Sequence, residues 1–226
     1  MELDKHSPPN SFVALLQKSE FCQLKNKSHE HQYRKGEYII QASNTDHAIY
    51  ILVTGRVKIS RISHVGNELI QWFCMPGDIF GISGENQVYN NICAQALTDC
   101  QILKIKKSHF NQLILDEPGI SLLVIDKLSS RIHTLGDMIL YMANDNANIR
   151  FVKLMQHMIE NYGRHLTDCI HIDIPTTHQD LADMMGSCRQ TVSSIVSALK
   201  RDGVLNINRK GINIYKPQYL IEHNSH

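Results

Sequence analysis

The sequence predicts an α+β chain in three parts: a β-rich N-terminal half folded as a sandwich, roll or barrel, one long helix, and a C-terminal winged helix-turn-helix. Short β-type runs separated by turn residues recur from Gln32 to about Lys107, the pattern of an all-β layer. Between Ser121 and Met142 the apolar period switches to three and four, the spacing of a helix. Further on, two short helical stretches meet at Gly186 and are followed by two alternating runs flanking Asn208-Arg209-Lys210-Gly211, the pattern of a helix-turn-helix with a hairpin wing.

The N-terminal segment, residues 1–20, holds Pro8 and Pro9 and then Phe12-Val13-Ala14-Leu15-Leu16, which predicts a covering helix. The β half, 21–120, contains Glu37-Tyr38-Ile39-Ile40, Ala48 to Val53, Arg56 to Ser60, Glu68 to Phe73 and Gln101 to Ile105 as candidate strands. Turns are expected at Gly36, Ser43-Asn44, Thr54-Gly55, Val65-Gly66-Asn67 and Pro76-Gly77-Asp78. In the helix 121–143, Ile125, Leu128, Ile132, Leu135, Ile139 and Met142 form an a/d seam. That seam is narrower than the stripe a surface helix buries on its own domain, so a parallel homodimer is expected. The polar run Asn144-Asp145-Asn146-Ala147-Asn148 reads as a hinge, and the winged helix-turn-helix part runs from 149 to 226, starting with a helix to about Tyr162 and a strand Ile170–Ile174.

Within that part, Thr177 and Asp180 stand at capping-box spacing before a short helix, and Gly186 supplies the turn. The second helix is expected over 187–201, with Ser187 and Gln190 as a second capping box and Val192, Ile195, Val196 and Leu199 as its buried stripe. Arg189, Gln190, Ser193, Ser194, Ser197 and Lys200 then face outward.

The chain of 226 residues carries a formal net charge of only +1. The charge is unevenly placed, however: from Ser187 to Lys216 the cations are Arg189, Lys200, Arg201, Arg209, Lys210 and Lys216, against Asp202 alone. A local basic surface on one small module is what phosphate contact requires. The six cysteines are scattered, which argues against a disulfide framework or a structural zinc site; Cys93 and Cys100 are the pair a redox switch would use. No apolar run reaches membrane-spanning length, and the first residues lack a signal-type apolar stretch, so a cytoplasmic location without membrane contact is expected. Phosphate loops, nucleophile elbows, metal quartets and paired-carboxylate motifs are not found, which disfavours an enzyme.

Lys35-Gly36-Glu37, Gly55-Arg56-Val57-Lys58-Ile59, Pro76-Gly77-Asp78-Ile79-Phe80-Gly81, Leu128-Ser129-Ser130-Arg131-Ile132 and the stretch Thr177 to Gly203 occur in order along nearly the whole chain. In that order they resemble the cAMP receptor protein/FNR (Crp-Fnr) family of bacterial transcription regulators. Leu128–Ile132 and the wing ending Tyr215-Lys216-Pro217 look similar to its nitrogen-control branch. The resemblance implies a cyclic-nucleotide-binding-like double-stranded β-helix (jelly roll), a dimerisation helix and a winged helix-turn-helix that binds palindromic double-stranded DNA and contacts RNA polymerase. It places Arg189, Gln190 and Ser194 against base edges, with Thr191, Arg209 and Lys210 on phosphates; Ser193, Thr177 and His178 complete the expected DNA-binding set. Arg189 suits guanine O6 and N7, and Gln190 suits adenine N6 and N7 or a phosphate, where some members carry a glutamate that accepts from cytosine.

The effector is unknown. The resemblance puts a pocket at Phe80, Gly81, Ile82, Ser83, Gly84 and Glu85 together with Arg131. No Lys or Arg lies between Arg61 and Lys104, and Asn90-Asn91 stand where the family's phosphate-binding arginine is expected, which argues against cAMP. The iron–sulfur branch needs an N-terminal cysteine cluster where only Cys22 occurs. Haem would need His47, His64 or His133 as axial ligand. A 2-oxoglutarate pocket has one matching arginine, Arg131, but its second arginine is missing and Gly136 replaces the acidic partner. His29-Glu30-His31 lacks a third metal ligand, so no metal is expected. Two alternatives stand beside a ligand-sensing regulator: an effector-independent or thiol-responsive regulator, and a ligand-binding module acting on a protein partner.

Overall fold

The computed structural model describes residues 28–41, 48–81 and 91–222. The expected covering helix at 12–16, Cys22, the turn at Ser43-Asn44, His47, Asn90 and the pocket residues Ile82, Ser83, Gly84 and Glu85 lie outside the described residues. Two compact units divide the chain between Ile132 and His133.

In the first unit, β1 (Ser28–Tyr33), β8 (Cys100–Lys106), β3 (Ala48–Thr54) and β6 (Ile79–Phe80) form one antiparallel sheet in that order. The second sheet runs β2 (Tyr38–Ile40), β7 (Ile92–Ala96), β4 (Val57–Ile62) and β5 (Glu68–Cys74). Helices α1 (Lys107–Asp116) and α2 (Pro118–Asn144) follow. Strand β3 is buried along nearly its whole length because both of its faces are covered. Tyr50 and Leu52 pack inward with Ile59, Cys74, Ala94 and Ile102, whereas Ile49, Ile51 and Val53 pack with Phe110 and Leu113 of α1 and Ile120 and Val124 of α2. A strand covered on both faces reads as a continuous apolar run rather than an alternation. Gly55 takes φ +98, and a Cβ there would lie 2.5 Å from the Asp99 carbonyl oxygen; the β3–β4 turn requires glycine.

The second unit contains the end of α2, then α3 (Ala147–Tyr162), β9 (Gly163–His165), β10 (Ile170–Ile172), α4 (His178–Met185), α5 (Arg189–Arg201), β11 (Leu205–Asn208), β12 (Gly211–Ile214) and α6 (Pro217–Glu222). Its sheet runs β11-β12-β10-β9, and Phe151, Met155, Ile172, Leu181, Val192, Ile212 and Leu220 are among its buried core. No described helix is long and apolar enough to cross a membrane.

Several sequence expectations need correction. The helical break is confined to Asp145 and Asn146, narrower than the hinge expected over 144–148. The Asn146 side chain accepts from the N–H groups of Asn148 and Ile149, so a poor helix former here starts the next helix as its N-cap. Lys153 pairs with Asp145 at 2.8 Å and lies 4.5 Å from the Tyr141 ring centroid, which fastens this break. The second helix begins at Arg189, not Ser187, and its N-cap is Cys188 with no side-chain cap. Ser187 is taken up instead in closing α4, since its N–H donates to the Ala182 carbonyl at 3.0 Å. Met142, placed in the seam by its spacing, has its Cε 3.4 Å from where a Cβ on Gly186 would stand, so within this chain it packs against the turn that closes α4.

Candidate nucleic-acid interface

The entry to α4 is built as a reciprocal cap. The Thr177 hydroxyl accepts from the Asp180 N–H at 3.1 Å and donates to the Asp180 carboxylate at 2.7 Å, and the same carboxylate accepts from the Thr177 N–H at 2.8 Å. The Thr177 hydroxyl is therefore committed to the cap. Gly186, at φ 59 and ψ 48, closes α4 in the left-handed region, which a residue with a Cβ reaches only at a cost.

Helix α5 buries Val192, Val196 and Leu199. The opposite side presents Arg189, Gln190 and Ser194, all exposed and none with a side-chain partner among the described residues. They occupy the first turns of α5, where a helix entering a major groove comes nearest the base edges. Thr191 and Ser193 are half-buried and already engaged: the Thr191 hydroxyl lies 3.1 Å from Cys188 Sγ, and the Ser193 hydroxyl lies 2.9 Å from His178 Nδ1. The His178–Ser193 contact joins the first residue of α4 to the face of α5, so these two residues fix the relation of the helices. Arg209 and Lys210 are exposed in the β11–β12 turn, which is held by the Lys210 N–H donating to Asn208 Oδ1 at 2.8 Å.

Cys188 is the residue the sequence reading passed over. It is exposed at the start of α5, and the Thr191 hydroxyl, followed by the N–H groups of the first turn, holds its thiol below the ordinary value of 9.0. Burial pushes Cys74 up to about 12 and raises Cys100 as well. A cysteine directly before an arginine at a helix start is the signal that could have marked it. Limited alkylation with iodoacetamide, followed by peptide mass mapping, is expected to label Cys188 before Cys74, Cys93, Cys100 and Cys169. A depressed pKa makes thiolate at lower pH, so the labelling rate should reach its midpoint below pH 9.0. Faster labelling of Cys100 would show this environment to be wrongly described. Cys93 and Cys100 are buried on strands of different sheets.

In the first unit, three residues of the expected pocket, Phe80, Gly81 and Arg131, are described. Phe80 is 1% exposed and stacks on Tyr50 at 5.3 Å, and Gly81 follows at φ +82. The Arg131 guanidinium stands 4.8 Å from the Trp72 ring centroid and donates to the Ile79 carbonyl at 2.6 Å. One turn earlier on α2, Lys127 pairs with Asp78 at 2.7 Å, and Asp78 also accepts from the Met75 N–H. Arg131 is thus brought beside Phe80 and Trp72, held by a cation–π contact and one carbonyl. His64 and His133 are exposed. Among the described residues no three metal-ligating side chains gather.

Two family models match the chain: a cyclic nucleotide-binding domain over residues 30–117 and a Crp-like helix-turn-helix domain over residues 149–222. A global nitrogen regulator from Synechocystis is 29% identical over 178 residues, covering 76% of this chain and 78% of the relative. An anaerobic regulatory protein from Haemophilus influenzae is 25% identical over 189 residues, covering 84% and 74%. Among solved structures, a mutant of CooA from Carboxydothermus hydrogenoformans superposes with a TM-score of 0.81 at 20% identity, covering 99% of this chain and 98% of that one.

Proposed function

The chain belongs to the Crp-Fnr family of bacterial transcription regulators, and from that premise we propose that it acts as a homodimer reading a palindromic DNA site with α5 and taking its signal through the β-roll. It is a DNA-binding regulator and not an enzyme. The observation that carries the site assignment is the set Arg189, Gln190 and Ser194, exposed on the first turns of α5 and without side-chain partners among the described residues. Arg189 reads a guanine in each half-site through a bidentate pair. Gln190 sets the neighbouring preference, and Arg209 and Lys210 hold phosphates that fix register. Thr177, His178, Thr191 and Ser193 act by positioning α5, their side chains being engaged with Asp180, with each other or with Cys188.

The homodimer reading is supported by α2, where Ile125 is 59% exposed, Leu128 38%, Ile132 69% and Ile139 67%. An apolar stripe of this kind on one chain calls for a partner helix. Pairing α2 with its copy would set two α5 helices about 34 Å apart, one turn of B-DNA. Such a regulator works in the cytoplasm and contacts RNA polymerase at its promoter.

The signal enters at Phe80, Gly81 and Arg131. A second reading, an effector-independent regulator, is favoured by one observation: Arg131 is already held by Trp72 and the Ile79 carbonyl, as a bound ligand would hold it.

The test is a salt-matched anisotropy titration of Arg189→Ala on the cognate palindrome and on random duplex. Discrimination is expected to fall by ~1–3 kcal/mol per half-site, with little change on random DNA. Equal weakening on both duplexes would make Arg189 a phosphate contact.

A further inference from the structure

Lys216 follows the wing and, counted by charge alone, belongs to the basic surface of the DNA-binding unit. Its geometry gives the ammonium another task. Lys216 Nζ donates to the main-chain carbonyl of Asp202 at 2.7 Å, and Asp202 is the C-cap of α5. The last carbonyls of a helix have no intrahelical donor, and the chain leaving α5 supplies donors to three of them. The Asp202 N–H donates to the Ala198 carbonyl at 3.0 Å, the Gly203 N–H to Lys200 at 3.1 Å and the Val204 N–H to Leu199 at 2.8 Å. Lys216 takes the carbonyl of the cap residue itself, where the negative end of the helix dipole favours a cation.

The backbone that carries this side chain is fixed as well. The N–H groups of Tyr215 and Lys216 both donate to the Val204 carbonyl, at 2.8 and 3.3 Å, and the Lys216 carbonyl accepts from the Tyr219 N–H at 3.2 Å. Pro217 then starts α6, which is tied to α3 by the Gln156 side chain donating to the Leu220 carbonyl at 2.9 Å. Val204 and Leu220 are buried. With its main chain pinned on both sides, Lys216 has only side-chain freedom to lose in making the bond.

Helix α5 has 13 residues, so Asp202 lies ~20 Å along the helix from Arg189. Lys216 comes six residues after Lys210, ~20 Å down an extended chain from the wing tip. The clamp thus joins the far end of the reading helix to the base of the wing, away from both sets of DNA contacts. We infer that Lys216 is a positioning residue for DNA reading. It fixes α5 relative to the wing, so that Arg189 and Gln190 meet base edges while Arg209 and Lys210 stand on phosphates of the same half-site. That role presupposes α5 as the reading helix.

Lys216→Met keeps the apolar stem and removes the donor, whereas Lys216→Arg keeps both donor and charge. Fluorescence anisotropy of the full chain on the palindrome and on random duplex, repeated over a series of salt concentrations, tests the assignment. For Lys216→Met the ratio of cognate to random affinity is expected to fall roughly three- to tenfold, the worth of one net hydrogen bond. The slope of log affinity against log salt on random duplex should stay at its wild-type value, and Lys216→Arg should restore the ratio. A phosphate-bound lysine would instead weaken both duplexes alike and reduce the slope by ~0.9 for each protomer, which overturns the proposal. Simple destabilisation lowers the active fraction on both duplexes and leaves the ratio unchanged, and that result overturns it too. Arg189→Ala on the same duplexes separates the two assignments. A ratio lost in Arg189→Ala but kept in Lys216→Met overturns the positioning role alone; a ratio kept in both removes Arg189 as a reader as well.

Discussion

Ile132→Asp is expected to turn the protein into a monomer and to weaken binding to the palindrome by more than about a hundredfold. Ile132 is 69% exposed in the single chain, so its contribution to the fold of that chain is small. In a paired α2 it would be buried twice, once from each copy, at ~1.5–3 kcal/mol per side chain. Aspartate forfeits both contributions and sets two carboxylates against each other in an apolar seam. Without the dimer the second half-site is no longer captured at high effective concentration, and cognate affinity falls toward that of one winged helix. Sedimentation velocity with fluorescence anisotropy on the same samples measures both effects, and an unchanged far-UV spectrum separates dissociation from unfolding. Ile132→Leu serves as control. An intact dimer in the Asp variant would remove the seam from the interface. The choice of residue follows from the structure: Leu135 is half-buried in its own chain and Met142 is turned to Gly186, so charged substitutions there would mix local damage with dissociation.

The parts of this fold legible in the sequence were those specified by local chemistry. Thr177 and Asp180 form the box their spacing announces, and Gly186 adopts the left-handed conformation its place between two helices demands. Helix α2 was visible from its period, although it extends from Pro118 to Asn144. Elements whose stability comes from a neighbour were harder to see. Strand β1, Ser-His-Glu-His-Gln-Tyr, has no apolar alternation, because it is an edge strand held by its backbone register with β8. Helix α1 buries only Phe110 and Leu113 and has no side-chain cap, so neither period nor cap advertises it. Strand β9 and helix α6 are short and depend on β10 and on packing against α3 in the same way.

Competition between motifs explains the misplaced cap. Ser187 and Gln190 satisfy the capping-box spacing as fully as Thr177 and Asp180 do. The Gly186 turn, however, draws the Ser187 N–H back to Ala182, and α5 can start only one residue later. For the site, the exposed set Arg189, Gln190 and Ser194 followed directly from helical phase. The His178–Ser193 contact did not, because it crosses between two helices whose angle no local pattern encodes.

The shift from Ser187 to Cys188 as N-cap makes Gln190 the second residue of α5, and there the specificity argument becomes sharpest. Gln190 is exposed and has no side-chain partner among the described residues, so Gln190→Glu disturbs no side-chain contact described there. The first turn of α5 holds no acidic residue, and a carboxylate near a helix N-terminus stabilises by ~0.3–1 kcal/mol; the melting temperature is expected to hold or rise slightly. On DNA the effect is opposite in kind. A glutamine pairs bidentately with adenine N6 and N7, whereas a glutamate accepts from cytosine N4, each pairing worth ~1–3 kcal/mol of discrimination. Losing one and gaining the other moves the preference at that base by ~2–6 kcal/mol per half-site, while repulsion from phosphates lowers affinity for every sequence alike. The informative measurement is therefore a ratio: competition between palindromes differing only in adenine or cytosine at that position, at one fixed salt concentration. Inversion of the ratio assigns Gln190 to the base edge; a uniform loss with the ratio unchanged would place it on a phosphate and leave Arg189 as the principal reader.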